Sequence, residues 1–321
     1  MMKLSKKRLL SLITILAMAP SLIAKDTTED TSNSKTMVTQ RTEINFNSDT
    51  DGNIHPQIAI PITWSEHFYS TLGYTSGSST SIAIDDLDAA FNPSKFVTAQ
   101  TDNMISFNLL SYQNTTSIVN YAFGLGVDYR NIESNEFGYF KTPSVNQLAF
   151  DKIVNIEQYD AVVNAEIYQT DIFGFMNFRV GGKVSIYSKM EVKQQTSYTN
   201  LPNTSASSSL DQEMNYTLFA DLYFMTPYYF DIGLSASHGY LPLTYDLASP
   251  DFSNNTFTTI NVKTEETITR FEAKVIITAL KAGDLSPSIG AGYEYYDLIF
   301  NGESLDFPKN KLIIFGFEKK F

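Results

Sequence analysis

The sequence predicts an all-β fold, a single antiparallel transmembrane β-barrel of about 12 strands, with ten or fourteen as the neighbouring solutions. Three observations predict it. Long stretches alternate strictly between apolar and polar or small residues. The connections between them alternate between short and long. The composition is aromatic-rich and charge-poor, with 13% Phe, Trp and Tyr against 18% charged residues.

Taken in order, the chain opens with a basic segment from Lys3 to Arg8 and an apolar run from Leu9 to Ala24 that contains Pro20. This is the order of a secretory signal peptide over residues 1–24. The run falls short of the ~20 apolar residues of a membrane helix. Residues 25–36 (KDTTEDTSNSKT) are polar without periodicity and read as a flexible tail. Residues 37–321 form the barrel. No later window is apolar enough for a spanning helix, so a membrane protein made from this chain has to close its sheet on itself.

The alternation is clearest where Ile172, Gly174, Met176, Phe178, Val180, Gly182, Val184 and Ile186 interleave with Phe175, Asn177, Arg179, Gly181, Lys183 and Ser185. The first set suits lipid and the second a wet interior. Equivalent stripes run through Tyr121–Arg130, Thr217–Phe224, Phe230–Ser237, Phe271–Ala279 and Ile289–Tyr295. Short connections fall near residues 65–67, 113–117, 170–171, 226–227 and 281–284. Longer polar ones fall near 79–101, 132–156, 194–209, 244–255 and 302–308. Residues 37–46 supply the first strand, which places Gln40 and Thr42 on its lipid face.

The last strand, KLIIFGFEKKF, resembles the C-terminal signature by which bacterial outer-membrane proteins are recognised by the barrel-assembly machinery. Phe321, Phe317, Phe315 and Ile313 match it, and Lys319 departs from it. The resemblance implies a Gram-negative outer-membrane location, reached by export behind the signal peptide. It implies partners in outer-membrane lipid, lipopolysaccharide and the assembly machinery, and it names no solute.

Composition excludes several function classes. The absence of Cys removes disulfides, thiolate metal sites and a lipoprotein anchor. The net charge of −12 becomes −16 once Lys3, Lys6, Lys7 and Arg8 leave with the signal, which argues against a nucleic-acid partner. The inward charges are Asp128, Arg130, Glu166, Arg179, Lys183, Asp221, Asp231, Glu272, Lys274 and Glu294. They are the candidate lumen lining for small polar solutes. Arg179 and Lys183 share a face and either guide an anion or pair with acids on neighbouring strands; the second is the ordinary filling of a small barrel.

Some outer-membrane barrels are lipid hydrolases with a His and a Ser on the lipid-facing wall, so His238 needs weighing. Its neighbours Ser235 and Ser237 point the other way, and a lone interfacial histidine is the plainer reading. Asn47, Asp49, Asp51, Gly52 and Ile54 begin like a calcium loop, but Ile58 stands where a bidentate Glu is required. An Asp/Asn/Gly turn explains them. No catalytic, metal or cofactor residues are expected. The reading is a channel for small polar solutes, with a closed-lumen structural or surface-interaction barrel as the alternative and a lipid hydrolase as a minor one.

Overall fold

A computed structural model describes residues 42–319 apart from 50–52, 66, 82–94, 115–119, 142–145, 199–202, 252–255, 281–284, 301 and 307–308. The signal segment, the polar tail, residues 37–41 and Phe321 lie outside the described residues.

Every regular element among the described residues is a strand. In chain order they are β1 (Glu43–Ser48), β2 (Ile54–Thr63), β3 (Phe68–Ser81), β4 (Lys95–Asn114), β5 (Asn120–Lys141), β6 (Asn146–Ile172) and β7 (Met176–Tyr198). Then follow β8 (Thr204–Asp211), β9 (Tyr216–Met225), β10 (Asp231–Asp251), β11 (Thr256–Ile276), β12 (Leu285–Phe300), β13 (Glu303–Asp306) and β14 (Asn310–Lys319). Each strand pairs antiparallel with its neighbour, and β1 pairs with β14, so the sheet is a closed ring. β8 and β9 share one place in the wall: β8 pairs the upper part of β7 and β9 the lower part. β13 pairs only the end of β12, above β14. The ring therefore has 12 wall positions, as the alternation predicts.

The lower end carries the tight turns. At the β6–β7 turn both Phe173 and Gly174 have positive φ, 55° and 78°. The three residues 173–175 form this turn, which the Phe175 N–H closes onto the Ile172 carbonyl with φ > 0 at both central places; glycine adopts it freely, whereas Phe173 does so at a cost and stays 84% exposed.

Above the turns the outer face is an apolar belt. Leu72, Ile105, Phe123, Leu125, Val127, Ile167, Val180, Leu218, Leu222, Leu234, Phe271, Val275, Ile289, Ile313 and Phe315 are all exposed on it. Aromatic rings edge it below, with Phe68 against Tyr112 at 5.5 Å, and above, with Tyr129 against Tyr159 at 5.1 Å and Tyr216 against Tyr240 at 5.5 Å. From Tyr121 to Tyr129 the strand climbs about 26 Å along its own axis at ~3.3 Å per residue, the reach of a membrane strand tilted by ~40°.

Beyond the upper aromatic edge the strands continue, and the two faces exchange character. Ion pairs now decorate the outside: Lys193 with Glu157 at 3.6 Å, Lys189 with Glu191 at 3.3 Å, and Lys263 with Glu213 at 3.3 Å. The inside becomes apolar, a cluster of Ile132, Val154, Ile156, Met190, Val192 and Leu243 flanked by Leu241 and Tyr245. On β7 the change is made by a bulge. Tyr187 pairs with Ala161 and Ser185 with Val162, so Ile186 is unopposed, and Ile186 and Tyr187 both point outward. Below this point odd residues of β7 face in; above it even ones do.

Three expectations are corrected. Residues 132–156 are not a loop, because β5 and β6 run through them to Lys141 and from Asn146 as a paired hairpin. Most of 194–209 and 244–255 is strand for the same reason: one polar and one apolar face still alternate there, and polarity alone does not make a loop. β11 ends at Ile276, which leaves Ile277 and Ala279 in a turn rather than on the belt.

Candidate functional site: the barrel interior

The inward face is mostly polar through the belt, with Tyr69, Ala122 and Tyr168 packed together near its lower end, and is bound together by ion pairs between strands. Arg179 on β7 donates from Nε to Glu166 on β6 at 2.7 Å and reaches Asp221 on β9 at 3.5 Å. Its guanidinium also lies 4.5 Å from the centre of the inward Phe219 ring. Gly181 permits this packing: a Cβ there would meet the Phe219 ring at 2.8 Å and the Glu166 Cβ at 2.6 Å. Lys183 pairs with Asp128 on β5 at 2.5 Å. Arg179 and Lys183 are thus each compensated by carboxylates, which is the pairing reading of that face.

Lys274 on β11 lies 3.4 Å from both Glu272 and Glu318 of β14, and Arg270 pairs with Glu272 along the same strand. Glu294 on β12 accepts from Asn310 at 3.4 Å. Asp231 is placed differently. It sits at the foot of β10 and accepts the Thr226 backbone N–H at 3.0 Å, so it fastens a turn rather than lining the middle of the bore.

Arg130 belongs to the boundary with the apolar cluster. It clamps Asp102 on β4 with Nε at 3.0 and 2.9 Å from the two carboxylate oxygens. Its Nη2 also stands 3.8 Å from Glu266 on β11, whose carboxylate takes the Tyr296 hydroxyl. In the ring, four wall strands separate β5 from β11 on one side and six on the other, so this pair crosses the bore. The apolar cluster lies directly above. Among the described residues the bore is therefore narrowed twice at its upper end, by the strands' own side chains.

Below these barriers lies a cavity of about 390 Å³, lined by Glu43, Asn164, Glu166, Arg179, Arg270 and Glu272 among others. Neutral Asn, Gln, Ser and Thr side chains fill the spaces between the charges. Sequence reasoning missed several inward charges: Glu43, Asp102, Glu136, Asp160, Glu266 and Glu318 among the acids, and Lys152 and Arg270 among the bases. The parity that identified Glu272 and Lys274 extends to Arg270 and Glu266 and was signal enough for both. With these added, carboxylates outnumber bases inside the bore.

The remaining candidates lie off this path. His238 is on the outer face and its Nδ1 is 2.9 Å from the Thr269 hydroxyl, while Ser235 and Ser237 line the cavity on the other side of the wall. Asp49 accepts from the Asn53 backbone at 2.8 Å, the Asn53 amide at 3.0 Å and His55 Nε2 at 3.0 Å, closing the β1–β2 hairpin as a turn. Burial works against its charge, yet these bonds hold its carboxyl below the ordinary value. Of the C-terminal signature, Ile313, Phe315 and Phe317 face outward at the belt.

A closed antiparallel ring with an apolar belt between aromatic edges and a polar bore defines a membrane β-barrel of the outer-membrane architecture. No family model and no curated protein matches the chain. Among solved structures, the translocator domain of the autotransporter NalP from Neisseria meningitidis aligns over 97% of this chain and 96% of its own, with a TM-score of 0.47 and 11% identity. The toluene transporter TodX of Pseudomonas putida covers 88% and 89%, with a TM-score of 0.44 and 8% identity. The transport unit of the autotransporter AIDA-I from Escherichia coli covers 97% and 98%, with a TM-score of 0.44 and 10% identity. Such scores decide neither fold nor function; the ring of strand pairings decides the fold.

Proposed function

We propose that the chain is a bacterial outer-membrane barrel that passes small polar solutes through a narrow, upper-gated bore. The observation that carries this reading is the cavity of about 390 Å³ inside the belt, where charged and amide side chains surround open space instead of packing it shut. The signal-like order of the N-terminal residues and the outward Phe315 and Phe317 support delivery to the outer membrane by the assembly machinery. The belt supports contact with its lipid, and the charged exterior above the belt supports contact with lipopolysaccharide. His238 has a threonine partner and no serine on its own face in its strand, so a hydrolase role has no support there.

The second reading is a closed barrel whose tall upper wall meets other surfaces. The Arg130–Glu266 bridge and the apolar cluster across the upper bore favour it. Liposome swelling separates the two. Under the channel reading, liposomes holding the refolded protein swell in glycerol and glycine, and swell faster with Leu243→Ala. A wild-type protein that admits neither solute leaves the closed barrel.

A further inference from the structure

The cavity has a chemical bias that the ion pairs do not remove. Glu43, Glu166, Asp221 and Glu272 line it against Arg179, Arg270 and Lys274, and Lys274 is shared with the buried, inward Glu318 of β14. One guanidinium, Arg179, serves both Glu166 and Asp221. Each arm of that bridge leaves negative charge over.

A second, independent observation concerns single atoms. The side chain of Glu166 is 5% exposed, and although its Oε2 receives Arg179, its Oε1 has no hydrogen-bond partner among the described residues. Asn164 stands two residues earlier on the same face of β6, lines the same cavity, and also has an unpartnered oxygen, Oδ1. Leaving a buried carboxylate oxygen without a donor is costly, and a bound donor would offset that cost. Arg270 offers the opposite polarity, since its Nε and Nη2 lack hydrogen-bond geometry, but it lies in ion-pair range of Glu272 and its charge is answered there.

We propose that the cavity is a binding site for small organic ammonium ions, with Glu166 Oε1 and Asn164 Oδ1 receiving the ammonium N–H groups. An ammonium brings positive charge to the acid surplus and donors to the two vacant acceptors. An anion would meet bases already paired. A neutral polyol would leave the charge unanswered. The site deepens the channel reading by naming the class of solute, but binding and passage are measured separately.

The test is saturation-transfer NMR on the refolded barrel in detergent at neutral pH, with ethanolamine, acetate and glycerol as probes. Ethanolamine gives a saturable signal and the other two give none. Glu166→Gln weakens ethanolamine binding by about tenfold or more, as expected when a charge-assisted bond is lost. Asn164→Leu weakens it while leaving the Glu166–Arg179 pair in place, and the surface change Lys193→Gln does not alter it. The heat-dependent shift in gel mobility shows that each variant has folded. Equal signals from all three probes, stronger binding of glycerol or acetate, or undiminished binding in folded Glu166→Gln and Asn164→Leu overturns the proposal. Failed swelling with intact ethanolamine binding sinks only the channel reading. Intact swelling without that binding sinks only this one.

Discussion

The lower and upper halves of the barrel are built from the same strands with opposite faces. Around Leu125 and Phe271 the outside is apolar and the inside carries Asp128 and Glu272; around Lys193 and Lys263 the outside is charged and the inside holds Val192 and Leu243. The solvent decides which. In lipid the wall gains nothing by turning charge outward, while in water the upper wall behaves as a soluble sheet that must bury its apolar face. One barrel thus contains both answers, and the upper aromatic edge marks where they meet.

The comparison breaks most completely at the β7 bulge. Inserting one alanine between Tyr187 and Ser188 shifts the upper register of β7 by one residue and turns every upper side chain of β7 over, sending Lys189 and Glu191 into the bore and Met190 and Val192 to water. No folded barrel is expected, checked as loss of the heat-dependent gel shift after refolding. Next is Leu243→Ala. If the upper interior is a packed core, it lowers stability by about 2–5 kcal/mol in urea unfolding. An unchanged transition would mean that the cluster is only a loose lining. Leu125→Arg asks the converse question of the lower half and costs roughly 2–4 kcal/mol at the middle of the belt.

The smallest effect lies at the β1–β2 hairpin. The folded carboxyl of Asp49 is held below its ordinary value of 3.8, so its contribution is present at neutral pH and is lost as the pH falls through the folded value. Asp49→Asn should remove about 1 kcal/mol at neutral pH and flatten the acid limb of the stability curve. A steep limb that survives the substitution assigns it to other carboxylates.

The lower half was legible in the sequence because the belt strands keep one parity from turn to edge, β4 with its bulge at Leu109 excepted. The upper half was not, and β7 shows why. Apart from Gly182 and Ser188 the even residues are apolar from Met176 to Val192, so the pattern carries little sign that Ile186 and Tyr187 both face outward and that Met190 and Val192 face in. A bulge between two apolar residues is invisible to a count of period two. The upper parts of β5 and β6 were hidden differently, since their polar outer face gave residues 132–156 the composition of a loop. Inside the bore, sequence reasoning found Arg179 and its acids, but no local pattern could bring Arg130 to Glu266. That meeting depends on the ring closing.

Ring closure rests on little. β1 is six residues long and supplies one whole side of the seam with β14, while β6 contributes 27 residues to its two ladders. In kinetic terms the seam is the wall's short fuse. Amide protons along Ile313–Glu318 should exchange ahead of those along the upper β5–β6 hairpin, and the barrel should unzip from this edge. Lys274 reaches Glu318 across the neighbouring ladder and ties that last strand to β11 from inside. A lumen charge thereby also sets how long the wall stays shut.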